Sequence, residues 1–302
     1  MTDTTPAAGL YIHVPFCKSK CPYCDFFSSE KTARIPQWLT ALKQELHLYK
    51  ARFSRFDTLY LGGGTPSLLT EQELADILKN IYQTFSITDD AEITIEVNPN
   101  DLTLNKARAL FHLGINRISL GVQSFDDTAL RLLGRRHTAQ EAIAAIAAVR
   151  DAGGSNLSID LMYALPGQTL SGWQQTLQQA VSFNPEHLSC YQLTIKNDTP
   201  FQHLQENGAF APASEAEEET FFLETRSRLA EAGYSQYEIS SFARAEKLFS
   251  RHNRKYWQHT PYLGLGPSAH SFDGTRRWWN SACVQTYCKQ LSAGRLPVED
   301  TE

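Results

Sequence analysis

Cys17, Cys21 and Cys24 stand in a C-x3-C-x2-C pattern that gathers half of the chain's six cysteines into one short segment. Thiolates are soft ligands that select iron-sulfur clusters, and a loop this short can wrap three of them round one cubane. No fourth cysteine lies nearby, so one iron of a 4Fe-4S cluster would be left uncapped. Zinc is the other metal reading; it needs a fourth ligand, for which His13 is the local candidate. Three reduced thiols are the plain reading. Cys190, Cys283 and Cys288 are ungrouped and read as ordinary thiols.

A second group of residues could hold a small polar ligand. In Leu61-Gly62-Gly63-Gly64-Thr65-Pro66 consecutive glycines let backbone amides and carbonyls approach where a Cβ would clash, although a glycine triplet is also a common tight turn. The Lys-Ser/Thr ending of a phosphate loop and the G-x-G-x-x-G pattern are both missing, which speaks against ATP and NAD. Glu96, Gln123 and Asp160 interrupt strands that are otherwise apolar, where each is either a satisfied core group or part of a site. Arg135 offers a guanidinium fork suited to a carboxylate, and Arg136 beside it leaves open that one of the pair is simply solvated.

Short apolar runs that alternate with helical periodicity must position these residues, and this is the pattern of βα units around a parallel sheet. The strands fall at Leu10-Val14, Thr58-Leu61, Glu92-Val97, Arg117-Val122, Leu157-Met162 and His187-Leu193. The helices between them fall at Pro36-Phe53, Glu71-Phe85, Leu104-Leu113, Ala139-Ala152 and Leu170-Phe183, with Thr70, Thr103 and Thr138 as caps. The fold class is α/β: a partial (β/α)6 barrel over residues 1-200, with its site at the C-terminal strand ends. A C-terminal α+β extension over 201-302 carries an acidic helix, Ser214-Ala232, and an aromatic segment of strand and loop character, Tyr234-Trp279. No closing helix is expected near the Pro-containing stretch Gly294-Glu299.

The chain has 302 residues, 42% hydrophobic and 20% charged, enough for a substantial core. A net charge of -5 without basic clusters gives no reason to expect nucleic acid or an anionic membrane surface. No apolar run approaches the roughly 20 residues that span a bilayer, and Met1 to Gly9 lack the regions of a signal peptide. The expectation is a cytoplasmic protein.

Cysteine spacing and strand-end position together resemble the radical-SAM superfamily, in which the amino and carboxylate groups of S-adenosylmethionine chelate the open iron. The motifs Tyr11-Ile12-His13-Val14-Pro15-Phe16-Cys17, Gly62-Gly63-Gly64-Thr65-Pro66, Glu96-Val97-Asn98-Pro99, Gly121-Val122-Gln123-Ser124-Phe125, Ile159-Asp160-Leu161 and Leu165-Pro166-Gly167 are similar to those of its oxygen-independent coproporphyrinogen III oxidase-like group. The resemblance implies that Tyr11, Gly63, Gly64, Thr65, Glu96, Gln123, Arg135 and Asp160 surround S-adenosylmethionine. It also implies that Cys17, Cys21 and Cys24 hold the cluster.

That group contains porphyrin-synthesising oxidases and HemW-type heme chaperones. Oxidases carry a further cysteine two residues after the third ligand, where this chain has Phe26, and a longer N-terminal extension than the ten residues before Tyr11. His252-Asn253-Arg254-Lys255-Tyr256-Trp257 resembles the chaperones' His-Asn-x-x-Tyr-Trp motif. The resemblance therefore implies a chaperone that binds heme and passes it to acceptor proteins, some of them membrane-bound and touched in passing. The alternative is a coproporphyrinogen III dehydrogenase. Heme would sit near His252 and Tyr256, although His252 could instead orient its loop while Tyr256, Cys190 or His270 meets the iron. The family's C-terminal helical domain is expected to be missing beyond Glu302.

Overall fold

The computed structural model describes residues 7-53 and 55-302. The start of the chain, read above for a leader, lies outside them up to residue 6. Six strands run parallel and pair in chain order: β1 (Ala8-Val14), β2 (Arg55-Gly63), β3 (Ser86-Val97), β4 (Arg117-Gln123), β5 (Leu157-Tyr163) and β6 (His187-Gln192). Between them run α1 (Ile35-Tyr49), α2 (Glu71-Thr84), α3 (Leu104-His112), α4 (Asp127-Leu132), α5 (Ala139-Asp151) and α6 (Leu170-Ser182). This is the expected βα alternation, with β2 and β3 starting earlier than their apolar runs suggest.

Each strand alternates its faces. Leu59, Leu61, Ile93, Ile95, Ile118, Leu120, Ile159 and Leu161 are buried in the hydrophobic core. Tyr60, Glu96, Arg117, Ser119, Gln123, Asp160 and Ser189 line a cavity on the other face. Period-two alternation thus builds an apolar outer layer and a polar inner one from the same strands. Helix starts follow the sequence signals: Thr70 with Glu73 and Thr138 with Glu141 form complete capping boxes, and Thr103 accepts from the backbone N-H of Lys106.

Beyond β6 come α7 (Pro200-Glu206), α8 (Glu215-Glu231), β7 (Ser235-Gln236), β8 (Ser241-Ala243), α9 (Arg251-Trp257), β9 (Tyr262-Leu265), β10 (His270-Phe272), β11 (Arg277-Asn280), α10 (Val284-Ser292) and β12 (Val298-Thr301). The described strands form one sheet in the order β12-β11-β10-β9-β1-β2-β3-β4-β5-β6-β8-β7, so the later strands extend both edges of the parallel six. β9 pairs parallel to β1, and β8 pairs antiparallel to β6.

The segment expected to be strand and loop contains α9. Ser250 caps it locally, but the backbone N-H groups of Arg251 and His252 donate to Glu92, midway along β3, at 3.1 and 3.0 Å. A carboxylate at a helix N-terminus is stabilising, and this one comes from a distant part of the chain, so local periodicity does not reveal the helix.

Candidate cofactor site

The loop after β1 leaves the sheet at Phe16, which bridges to Ser29, while Ser29 N-H donates to Pro15 O at 2.8 Å and Cys17 N-H to Ser29 O at 3.2 Å. The cysteine segment is therefore closed at its base. Cys24 N-H donates to Cys21 O at 3.1 Å, forming a turn that brings those two ligand positions together. Lys18 ties the loop to Asp101 at 2.8 Å, and Asp101 also takes Arg136 at 3.0 Å, so Arg136 is ion-paired and not simply solvated.

Cys17, Cys21 and Cys24 are all partly exposed. Burial pushes the Cys24 thiol up to about 11, opposed by the Phe26 backbone N-H and reinforced by the neighbouring Cys21 and Cys17. Among the described residues no three His, Cys, Asp or Glu side chains converge on one metal ion, the arrangement a tetrahedral zinc needs. A cubane asks something different, because each thiolate binds a different iron. His13, the candidate fourth zinc ligand, is 4% exposed, with its ring nitrogens bonded to Phe27 O at 2.8 Å and the Tyr11 hydroxyl at 3.1 Å.

The glycine run lies directly against this loop. Gly64 N-H donates to Val14 O at 2.9 Å and Thr65 N-H to Phe16 O at 2.8 Å. A Cβ on Gly64 would sit 2.7 Å from both the Phe16 and the Val14 carbonyl oxygens, and Gly63 has φ +102°. The glycines are thus required for the approach of two backbones as well as for any ligand. Thr65 turns its hydroxyl to the Sγ of Cys17 at 3.2 Å.

A cavity of about 880 Å³ opens beside these elements. Tyr11, Cys24, Gly63, Gly64, Thr65, Glu96, Gln123, Arg135 and Asp160 all line it, so the structure brings eight of the expected cofactor positions together with one of the cysteines. Glu96 accepts from the Tyr60 hydroxyl at 2.9 Å and from Gly63 N-H at 3.0 Å; burial pushes its carboxyl up to about 7. Asp160 accepts from Ser119 at 3.1 Å and from Ser158 at 3.3 Å, and burial pushes it up to about 6. Gln123 has φ 67°, rare for a residue with a side chain, at an irregularity in the β4-β5 register. Its Oε1 accepts from Tyr191 at 2.5 Å.

Arg135 commits its fork to Gly121 O at 2.7 Å, Asn98 Oδ1 at 3.3 Å and Cys21 Sγ at 3.6 Å. Its buried Nε has no partner among the described residues. Tyr60, Tyr191 and Arg117 were not picked out from the sequence. They occupy the same alternating face as Glu96 and Gln123, a signal that emerges once strand register is known. Arg117 is 1% exposed and lines the cavity, with its Nε unpartnered among the described residues.

The donor set fits a cofactor of this kind. Three clustered thiols and a cavity with two carboxylates and an arginine suit a cubane and a ligand bearing a cation and a carboxylate. Residues 11-180 match the model of the radical SAM superfamily. The chain belongs to the radical SAM superfamily. Within it the chain belongs to the HemW-type branch: it is 36% identical to the heme chaperone HemW of Bacillus subtilis over 96% of this chain and 78% of the relative. It is 37% identical to the same-named protein of Haemophilus influenzae, over 88% and 70%. The solved structure of the radical SAM enzyme coproporphyrinogen III oxidase from Escherichia coli superposes with a TM-score of 0.86 at 27% identity, covering 99% of this chain and 72% of the oxidase. The α/β radical-SAM fold expected from the sequence is thus the fold observed.

The aromatic motif lines the same cavity, against Tyr11 and Tyr60. His252 is 1% exposed; its Nδ1 is 2.9 Å from the Thr58 hydroxyl and its Nε2 is 2.8 Å from the Tyr256 hydroxyl. Its ring stacks on Tyr60 at 5.1 Å between centroids. Tyr256 and Trp257 are exposed, Trp257 by 55%, and both line the cavity, as does Phe26 at 63% exposure. Cys190 is buried, and burial pushes its thiol well up. No helix among the described residues is long and apolar enough to cross a membrane.

Proposed function

We propose that this protein binds heme and delivers it to acceptor proteins, holding a 4Fe-4S cluster on Cys17, Cys21 and Cys24 and S-adenosylmethionine in the adjoining cavity. The observation that carries the choice over porphyrin decarboxylation is Phe26, an exposed aromatic at the cavity where the oxidases have a further cysteine. Relatives named heme chaperones across most of the chain support the same reading.

When bound, the cluster and S-adenosylmethionine supply one-electron chemistry. Around them, Glu96 and Asp160 offer carboxylates to the cationic part of the ligand, and Gly63 and Gly64 offer close backbone contact. Tyr11 and Gln123 close the sides of that site. Arg135 holds the Cys21 thiol against the Gly121 carbonyl, so that the cluster loop and β4 keep one spacing. Tyr256, Trp257 and Phe26 present apolar faces of the kind that pack a flat macrocycle or an acceptor surface. The proposed setting is the cytoplasm, with transient contact to acceptors that include membrane-bound heme proteins.

The oxidase reading is the second, favoured by the likeness to the Escherichia coli oxidase. One pair of assays separates them: an anaerobic coproporphyrinogen III assay on cluster-loaded protein, beside a heme titration followed by transfer to an apo-acceptor. The chaperone reading expects a saturable heme site, transfer, and no protoporphyrinogen. Product formation without a heme site overturns it.

A further inference from the structure

We propose that His270 supplies the imidazole that meets the heme iron, and that His252 does not. The assignment rests on the heme reading above and names the residue within that site.

The chain has nine histidines, and among the described residues three line the cavity: His13, His252 and His270. Two have no nitrogen to give. His13 and His252 are almost fully buried, and each has both ring nitrogens within hydrogen-bond distance of a partner. A metal would have to displace the Tyr256 hydroxyl from His252 Nε2. It would also have to reach a ring that lies against Tyr60 at 5.1 Å and Tyr11 at 6.3 Å, where a macrocycle has no room.

His270 is different in each respect. It is exposed, and its ring makes no hydrogen bond to any described residue. Burial of part of the ring, followed by Arg277, lowers its pKa. Its ring stacks on Trp279 at 5.5 Å and 25°, which fixes the plane of the imidazole.

The backbone beneath it is fixed too. His270 pairs with Trp279 across β10 and β11, and the adjacent Ser271 hydroxyl accepts from Gly264 N-H at 2.9 Å. Tyr256 and Tyr262 line the same cavity as His270, Tyr256 edge-on to Tyr262 at 4.7 Å, and Phe272 packs tilted on Tyr262 at 6.2 Å. An imidazole held in place with no hydrogen-bonded nitrogen, at a cavity lined by aromatic side chains, suits an axial heme ligand.

The test is a hemin titration of the full-length, cluster-loaded protein, read by the Soret band and by electron paramagnetic resonance of the ferric iron. His270→Ala is expected to shift the band, change the iron signal and weaken binding about tenfold or more, the scale of one lost ligand interaction. Added imidazole should restore the wild-type spectrum. His252→Gln, which keeps side-chain hydrogen bonding in the buried site, should leave the iron signal as in wild type. His259→Ala should do the same and serves as the control for adventitious binding by an exposed imidazole. An unchanged spectrum in His270→Ala, or a changed iron signal in His252→Gln, overturns the assignment while leaving heme binding intact. A wild-type protein with no saturable heme site overturns the heme reading and the assignment together.

Discussion

The hydroxyl of Thr65 donates to the Sγ of Cys17 across 3.2 Å, which makes the glycine-run threonine a partner of the cysteine loop proposed to hold the cluster. A donor on a cluster thiolate stabilises the more negative, reduced state, and so raises the reduction potential. A hydrogen bond contributes about 0.5-1.5 kcal/mol. For one electron that corresponds to roughly 20-60 mV, taking 59 mV per tenfold change in equilibrium. Thr65→Val is therefore expected to lower the potential of the reconstituted cluster by an amount in that range, while Thr65→Ser stays near wild type. Equal potentials in a dye-mediated titration of all three proteins would remove the role.

Glu96 and Asp160 give the cofactor cavity a pH dependence. Burial raises them to about 7 and about 6, so their protonated forms accumulate as pH falls from 7.5 to 5.5. S-adenosylmethionine carries a sulfonium cation, and the ionised carboxylates are the forms that attract it. Affinity should weaken with falling pH, by up to about tenfold per unit for each group below its pKa. Glu96→Gln should bind roughly tenfold more weakly at pH 7.5, as expected for one charged hydrogen bond. Its profile should also be flatter than that of wild type. The ligand's own titration is common to both proteins, so calorimetry at several pH values isolates the Glu96 contribution; parallel profiles would exclude it.

Glu45 is a fully buried carboxylate on α1 that holds the later strands in place. It accepts from Gly266 N-H at 2.9 Å, Tyr287 at 2.6 Å and Asn280 at 2.6 Å, with no ion-pair partner among the described residues. Burial raises it from 4.5 to about 7 despite those donors. Between these values the folded chain holds a proton that the unfolded chain has lost, so this group's contribution is full below pH 4.5 and declines as pH rises to 7. The loss amounts to roughly 3 kcal/mol. Urea unfolding should show that decline in wild type and not in Glu45→Gln. Curves with the same slope against pH would disprove it.

How far the chain could be read without coordinates varies from residue to residue for physical reasons. The grouping of Cys17, Cys21 and Cys24 is legible because one loop supplies all three, and Glu96, Gln123 and Asp160, which line the cavity, show as polar breaks in apolar strands. Thr70 and Thr138 mark their helices because a capping box is a local device. Tyr60, Arg117 and Tyr191 are not legible, since an amphipathic or charged residue near a strand end reads as a boundary until register shows that it faces inward. Glu45 looks like any charged position on an amphipathic helix. Its partners lie more than two hundred residues away, and no local pattern encodes them. α9 fails for the same reason, because the carboxylate at its start belongs to β3.

His252 illustrates the difference between a motif's chemistry and its architecture. The ring bridges Thr58 on β2 to Tyr256 on its own helix and packs on Tyr60 beneath the cofactor cavity. His252→Ala removes a buried hydrogen bond to the Thr58 hydroxyl and a part-buried one to the Tyr256 hydroxyl, and strands the buried Thr58 hydroxyl. The stranded Thr58 hydroxyl costs about 1-3 kcal/mol, and the emptied volume adds a cavity term. The variant should therefore lose roughly 2-5 kcal/mol of unfolding free energy, with His252→Gln losing less because its amide can still reach one hydroxyl. If the residue is instead a ligand held loosely at a surface, alanine there would leave urea unfolding unchanged, as surface substitutions generally do. A wild-type midpoint in His252→Ala would thus refute the architectural role and return the histidine to candidacy as a heme ligand.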